Sequence, residues 1–260
     1  MDVRSLGYRT DLALLQVGGS EIEDRGHYLV ARTPGNPHFH WGNFLLLAAP
    51  PEPGSADHWV ATARAEFPAS RHVALGVDGS DGTLADLAPL KEAGFTTETS
   101  VVMTATSVHL PPRPNTEAEM RPLTSDDDWN QQVALSMAGE PEHYSLPFAA
   151  ARELANRAHT EAGRGLWWGA FVDGRLVSSL GIVRAGEGLA RFQTVKTHED
   201  FRGRGLAGSL VELAGRSGFE ELGAETLVMV ADPDYLAIRV YRSVGFTDGE
   251  VQLQATLLPQ

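Results

Sequence analysis

The stretch FRGRGLAGSL, residues 201–210, combines three glycines and two arginines at the start of an apolar helix. Glycine destabilises a helix interior by roughly 1 kcal/mol relative to alanine, so its frequency here indicates a close approach to the backbone. The N-terminus of a helix has four unpaired N–H groups and the positive end of the helix dipole. A glycine turn leading into it therefore predicts an anion site, and the two forked guanidinium groups favour a pyrophosphate.

The segments that would position this turn alternate between helix and strand patterns. The turn follows the strand LARFQTVKT and precedes the strand ETLVMVA, the helix YLAIRVYRSVG and a last strand pair in GFTDGEVQLQATLL. Two helical segments come before them, the first with Thr124 or Ser125 as its expected N-cap, followed by a hairpin turned at Asp173-Gly174. Together these segments complete the order α-α-β-β-β-α-β-α-β. We therefore expect an α/β fold with a mixed, mostly antiparallel sheet flanked by helices.

An internal repeat emerges when the sequence is compared with itself at an offset of 151 positions. Gly54 then coincides with Gly205, and GFT at 94–96 coincides with GFT at 245–247. Four prolines between 109 and 122 disfavour regular structure there and mark the connection between the two copies. These patterns predict two tandem lobes, a first at 1–110 and a second at 120–260, joined by a proline-rich connection at 111–119.

Composition excludes several classes of function. The 260 residues carry a formal net charge of −13, which disfavours nucleic acids and anionic membranes as partners. The sequence has no run of 18 apolar residues and no signal-peptide pattern, so we expect a cytoplasmic protein. Cysteine is absent, which excludes thiolate ligands and a cysteine nucleophile. No metal is expected, because His38 and His40 share a strand face without a third ligand nearby.

Two motifs together resemble those of the GNAT superfamily of N-acetyltransferases. The first is R-x-x-G-x-A between a buried strand and a helix, in VKTHEDFRGRGLAGSLVE. The second, Asn-x-x-Ala-x-x-x-Tyr-x-x-x-Gly-Phe, is matched by DPDYLAIRVYRSVGF, where Asp234 stands in place of the asparagine. The resemblance covers residues 120–260 and implies a fold in which two strands splay apart around the thioester arm of acetyl-CoA.

The resemblance also implies which residues hold acetyl-CoA, the expected co-substrate. The backbone of Val195 and Thr197 would pair with the pantetheine arm, and N–H groups from Gly203 to Ala207 would hold the pyrophosphate. The complete set of expected acetyl-CoA contacts is Val195, Thr197, Arg202, Gly203, Arg204, Gly205, Leu206, Ala207, Asp234 and Ala237.

Tyr241 is expected to protonate the departing thiolate, because a phenol with a pKa near 10 keeps its proton at neutral pH. A tyrosine packed in the core is the alternative. For the general base, Glu199 and His198 lie beside the turn, and Glu142 and His143 lie between the first two helices. Glu199 is the predicted base; the alternatives are the other three residues, or a water relay with all four side chains solvated.

The first lobe lacks the residues that acetyl-CoA would need. At the aligned positions the two arginines become Pro51 and Pro53, a turn glycine becomes Glu52 and the tyrosine becomes Leu90. Two charges and two N–H donors are lost, and a carboxylate is gained where phosphates would lie. We therefore expect acetyl-CoA to bind only in the second lobe, with the degenerate first lobe packing against it and forming a wall of the acceptor cleft.

These features predict an N-acetyltransferase that moves an acetyl group from acetyl-CoA to a primary amine by direct attack in a ternary complex. The amine would belong to a small molecule or a peptide. The alternative is a non-catalytic acyl-CoA-binding sensor or scaffold that has kept the phosphate turn without an effective base. A monomer, as a pseudo-dimer of lobes, and a homodimer both fit the sequence.

Overall fold

The computed structural model describes residues 1–36, 39–138 and 146–258. In chain order, its helices are α1 (Leu6–Val17), α2 (Ala56–Glu66), α3 (Ala88–Glu92), α4 (Asp126–Met137), α5 (Leu146–Glu161), α6 (Leu206–Glu220) and α7 (Ala237–Arg242). Its strands are β1 (Glu21–Asp24), β2 (Tyr28–Arg32), β3 (Phe44–Leu47), β4 (Val73–Val77), β5 (Thr96–Ala105), β6 (Glu119–Pro122), β7 (Gly165–Val172), β8 (Arg175–Arg184), β9 (Leu189–Thr197), β10 (Thr226–Ala231) and β11 (Thr247–Leu257). Within these described ranges, no helix is both long and apolar enough to span a bilayer.

Two compact units divide the chain, and neither is continuous in sequence. The first contains Met1–Met103, Val230–Tyr235 and the C-terminal strand from Asp248 onward, and the second contains Thr104–Met229 and Leu236–Thr247. This division differs from the boundaries expected from the sequence at 1–110 and 120–260. The difference arises because β11 pairs with β4 of the first unit, and a pairing between such distant segments leaves no local trace in the sequence.

In the first unit, the strands β1-β2-β3-β4-β11 follow one another in that order. Neighbouring strands are antiparallel except for β3 and β4, which are parallel. Both of these strands are buried along their whole length, as expected for continuous apolar runs. One core cluster contains Leu45, Leu75 and Leu253, and a second contains Phe44 and Leu46, so the sheet is covered on both faces.

Helix α1 is attached to this sheet through β11. The Ser5 hydroxyl caps the helix by accepting from the N–H of Tyr8, and the N–H of Leu6 donates to Glu250 at 2.6 Å. The fully buried Tyr8 hydroxyl donates to the carbonyl of Leu253. Burial raises the pKa of Tyr8, so the phenol stays protonated and keeps this hydrogen bond over the ordinary pH range. The N-terminal helix and the C-terminal strand are thus parts of one core.

In the second unit, the strand order is β10-β9-β8-β7-β6, antiparallel except for the parallel pair β9 and β10. Ile182 of β8 packs against Gly218 of α6, whereas the adjacent Gly181 packs against the ring of Trp167. That ring lies 6.2 Å from the ring of Trp129 on α4. Because successive strand residues point to opposite faces, α6 covers one face of this sheet and α4 covers the other.

Two predictions for the second unit that depend on a few neighbouring residues, a hairpin turn and a helix cap, are confirmed. The hairpin between β7 and β8 turns at Asp173 and Gly174, whose φ values of 49° and 77° are those of a type I′ turn. Ser125 caps α4 in a capping box with Asp128. Arg121 donates to the two carboxylate oxygens of Asp128 at 2.9 and 2.7 Å, which binds the start of α4 to the strand before it.

Two expectations about strands are wrong. The segment GFTDGEVQLQATLL forms one long strand, β11, and not a strand pair. The proline-rich region, expected to lack regular structure, contains β6 at Glu119–Pro122, which pairs with β7. Its proline is tolerated because β6 is the outermost strand of its unit, where a missing N–H breaks no ladder.

The two units share turn geometry at positions that are 151 residues apart. Gly54 and Gly205 have φ values of 79° and 76°, and Gly94 and Gly245 have values of 91° and 113°. Each turn of the first pair leads from one strand of a parallel pair into a helix, from β3 to α2 and from β9 to α6. The glycines that coincide in the sequence comparison therefore also share a positive φ, a backbone conformation that residues with a side chain adopt poorly.

Candidate active site

The glycine-rich turn between β9 and α6 adopts a backbone suited to an anion. Gly203 and Gly205 both have a φ of 76°, and Gly205 is the N-cap of α6 without any side chain that caps the helix. Among the described residues, no group accepts from the backbone N–H groups of Gly203 to Ala207. A set of unpaired donors at the positive end of a 15-residue helix fits a pyrophosphate by both charge and hydrogen bonding.

Both arginines of the turn are exposed and are held close to the backbone of the turn. Nε of Arg202 donates to the carbonyl of Thr197 at 3.3 Å, and Nη2 of Arg204 donates to the carbonyl of Asp200 at 3.1 Å. The guanidinium of Arg204 also lies 4.8 Å from the centre of the Phe201 ring. Each guanidinium has further N–H donors beyond these contacts, so both supply positive charge beside the turn.

The glycines of this region differ in what lies next to them. At Gly205, a Cβ would overlap the carbonyl oxygen of Arg113. At Gly208, a Cβ would lie 3.2 Å from Cβ of Pro111, and at Gly215 it would lie 3.0 Å from a methyl group of Val108. At Gly203, nothing lies within 4 Å. The sequence analysis attributes Gly203, Gly205 and Gly208 to an approaching pyrophosphate. Gly205 and Gly208, like Gly215, instead accommodate the protein's own segment 108–115. Only Gly203 of the four leaves open space.

Strand β9 is irregular where the pantetheine arm is expected. Thr194 has a φ of 45°, and the register with β8 shifts between the pairs of Ser179 with Lys196 and Gly181 with Gln193. One extra residue on β9 in this interval forms a β-bulge. The parallel register with β10 covers Leu189 to Arg191 only, so Val195 and Thr197 lie beyond the part of β9 that pairs with β10. This arrangement agrees with two strands that diverge.

Tyr241 lies on the buried side of α7, with 7% of its surface exposed. Its carbonyl accepts from the N–H groups of Val244 and Phe246, which ends the helix. The Phe246 ring packs edge-to-face on Phe192 of β9 at 5.7 Å. These contacts fix the end of α7 against the strand that leads to the turn. Burial agrees both with an acid shielded from water and with a tyrosine of the core.

The remaining residues of the second motif lie at the start of α7. Ala237 is the first residue of this helix and is half-buried. Asp234 is exposed, and its N–H donates to a carboxylate oxygen of Asp232 at 2.8 Å. Asp234 belongs to the first compact unit and Ala237 to the second.

The four candidate bases differ in their surroundings. Glu199 is exposed in a short 3-10 turn at 199–201. Nε2 of His198 lies 2.9 Å from Nη2 of Arg175, and its Nδ1 accepts from the N–H of Asp200. That imidazole is therefore engaged in holding the turn. Glu142 and His143 lie outside the described residues. Of the two described candidates, Glu199 is the one whose side chain has no hydrogen-bond partner among the described residues.

A buried polar cluster beside β9 had no signal in the sequence. Glu153 of α5 is only 2% exposed and accepts from Ser136 at 2.7 Å, from Asn156 at 2.8 Å and from Arg152 at 3.0 Å. Nζ of Lys196 donates to the carbonyl of Ser136 at 2.7 Å. The cluster joins α4, α5 and the bulged part of β9, so it holds the strand on which Val195 and Thr197 lie.

The metal expectation stays a prediction. His40 begins a short 3-10 helix at His40–Gly42 and does not lie on the expected strand. Its ring centre is 4.1 Å from that of His72, with the rings tilted by 41°, and burial lowers the pKa of His40. His38, its expected neighbour on the same face, lies outside the described residues. The described part of the chain contains no group of three or more metal-binding side chains.

Comparison with known proteins identifies the class to which this fold and turn belong. Residues 129–246 match the family model described as "Acetyltransferase (GNAT) family", and the fold agrees with it. Residues 129–246 of this chain therefore form a GNAT-type domain. No curated protein matches it.

Several solved structures share the fold at low identity. A GCN5-related N-acetyltransferase from Kribbella flavida is 17% identical, with a TM-score of 0.62 over 97% of this chain and 96% of that one. A functionally unknown conserved protein from Staphylococcus epidermidis is 14% identical, with a TM-score of 0.66 over 92% and 93%. A tandem GNAT protein from the clavulanic acid biosynthesis pathway is 16% identical, with a TM-score of 0.54 over 77% and 67%. At these identities the similarity concerns the fold.

Proposed function

We propose that this protein is an N-acetyltransferase that moves an acetyl group from acetyl-CoA to a primary amine by direct attack in a ternary complex. The observation that carries the proposal is the uncapped start of α6, preceded by two left-handed glycines and two exposed arginines. Its unpaired N–H groups would hold the pyrophosphate of acetyl-CoA. The backbone of Val195 and Thr197, beyond the part of β9 that pairs with β10, would hold the pantetheine arm.

The chemistry assigned to this chain is proton transfer and orientation. A primary amine must lose a proton to attack, because an amine with a pKa near 10.4 is protonated at neutral pH. Glu199, directly or through water, would accept that proton. As the amine nitrogen bonds to the acetyl carbon, the carbon–sulfur bond breaks and Tyr241 would protonate the leaving thiolate. The acylated nitrogen would then lose its second proton through water to the Tyr241 phenolate, and Glu199 would release its proton to solvent. One ammonium and one thioester thus give one amide, one thiol and one released proton.

The first unit is proposed to be a degenerate copy of the second. The shared glycine conformations support this reading, and so do the parallel strand pairs that precede and follow α2 and α6. Pro51, Glu52 and Pro53 remove the donors and charges that a pyrophosphate would need, so acetyl-CoA would bind once per chain. The same proposal includes a cytoplasmic location and an acceptor that is a small molecule or a peptide. It also includes a protein that is either a monomer or a homodimer.

A non-catalytic acyl-CoA sensor is the second candidate. It is supported by the exposure of Glu199 and by the engagement of His198 with Arg175, since neither provides a buried base. The two candidates are distinguished by thiol release from acetyl-CoA in the presence of a panel of small amines and peptides. An acceptor-dependent increase in free thiol supports the enzyme. Tight CoA binding without release in the presence of any amine supports the sensor.

A further inference from the structure

Residue Asn115 connects the proline-rich segment to the candidate phosphate turn. Its side-chain Nδ2 donates to the carbonyl of Arg204 at 2.9 Å, and its backbone N–H donates to the hydroxyl of Ser209 at 2.9 Å. Both acceptors flank the N-cap of α6. We infer that Asn115 is a positioning residue that orients the Arg204–Gly205 peptide toward the pyrophosphate; this inference rests on the acetyl-CoA site proposed above.

The orientation of the Asn115 amide is fixed by its other contacts. Its Oδ1 accepts from the N–H of Glu117 at 3.1 Å and from the N–H of Ala118 at 2.9 Å. An oxygen is required on that side of the amide, because both partners are donors. The NH₂ group therefore points to Arg204, and the carbonyl of Arg204 receives a donor from outside the turn.

Peptide planarity converts this contact into an orientation of the next N–H. In a trans peptide the C=O and N–H bonds point in opposite directions, and the described chain has no cis peptide bonds. Because the Arg204 carbonyl points to Asn115, the N–H of Gly205 points away from the proline-rich segment. No described residue accepts from that N–H. Asn115 thus holds one N–H donor of the proposed pyrophosphate site in a fixed direction before any anion binds.

The contacts of Gly205 are consistent with this role. The carbonyl of Arg113 occupies the space of its missing Cβ, and the backbone nitrogen of Asn115 lies 3.3 Å from the same point. The equivalent Gly54 in the first unit has nothing within 4 Å. The turn that is proposed to bind acetyl-CoA is therefore clamped from outside, whereas its degenerate counterpart is not.

The test uses Asn115→Asp in the full-length chain, with Thr116→Asp as the control for added charge. Aspartate keeps the acceptor for Glu117 and Ala118 but has no donor for Arg204, while Thr116 is exposed and adjacent. Calorimetry with CoA should show a dissociation constant at least about tenfold higher for Asn115→Asp than for Thr116→Asp. In ¹⁵N-labelled protein, CoA should shift the Gly205 amide resonance of wild type and Thr116→Asp but not that of Asn115→Asp.

A neutral second variant keeps the test valid if the aspartate variant does not fold. Asn115→Ser retains a short acceptor for the local turn but cannot reach Arg204, and we expect the same loss of CoA affinity relative to Thr116→Ala. CoA affinities equal to the controls in the folded variants would overturn the inference. Absence of CoA binding to the wild-type protein would instead refute the proposed acetyl-CoA site itself, so the two failures are distinguishable.

Discussion

The carbonyl oxygen of Arg113 occupies the space in which Gly205 would carry a Cβ, although the two residues are separated by most of the second unit. Gly205 is thus required twice, by its φ of 76° and by this contact. Gly203 and Gly54 share the conformation but have nothing within 4 Å.

This contrast predicts the stabilities of three alanine variants. Left-handed backbone costs an alanine about 1–2 kcal/mol, so Gly203→Ala and Gly54→Ala should each lower the Tm by a few degrees. Gly205→Ala should lower it at least twice as much, because the segment at Arg113 must also move. Thermal unfolding followed by circular dichroism measures all three, and equal losses would mean that the Arg113 contact is easily relaxed.

An introduced negative charge is expected to weaken coenzyme A binding in the second unit but not in the first. Gly203→Glu places a carboxylate at the unpaired N–H groups, in open space, and should reduce CoA affinity by at least about a hundredfold. The matched Gly54→Glu in the first unit should leave affinity unchanged. Calorimetry should also give one site per chain. Two equivalent sites, or a response to Gly54→Glu, would mean that the first unit binds CoA.

Replacing the phenol of Tyr241 is expected to affect turnover and not binding. Tyr241→Phe should lower kcat by about 10- to 1000-fold, the range contributed by one general acid, with nearly unchanged CoA affinity. Tyr235→Phe, an identical change at an exposed tyrosine, is the control. Steady-state thiol release and calorimetry separate the two effects. Unchanged kcat would make Tyr241 a packing residue of α7.

Stability should depend on pH through Asp128. The ion pair with Arg121 and the N–H groups of Ser125 and Thr124 hold the pKa of this buried carboxyl well below its usual range. A depressed carboxyl stabilises the fold above its unfolded pKa of about 3.9, and this stabilisation disappears as the pH falls from there through the folded value.

Asp128→Asn should therefore lower the free energy of unfolding by about 1–3 kcal/mol at pH 7, and the difference from wild type should shrink below pH 4. Asp127→Asn, at an exposed neighbour, should have little effect. Urea unfolding between pH 3 and pH 7 measures both variants. A loss at pH 7 that stays the same at pH 3 would mean that packing, and not charge, is responsible.

The features that the sequence predicted correctly depend on residues that are close together in the chain. The Ser125 cap, the Asp173-Gly174 hairpin and the two left-handed glycines before α6 are each set by a few neighbouring residues. The buried Glu153 cluster and the contacts of Asn115 were missed, because each joins side chains from separate elements. No periodicity of the sequence indicates such contacts between side chains of separate elements. The proline-rich segment looked like a linker for the same reason, since its composition says nothing of its partners.

The pairing of β11 with β4 also bears on how the protein is made. A strand that begins at Thr247 completes the sheet of a unit whose other strands start at Glu21. During synthesis, the early strands therefore leave the ribosome long before β11 has been made. One edge of β4 stays unpaired while about 170 further residues are translated. The nascent chain must protect that edge throughout, and its first unit closes only when β11 has been made.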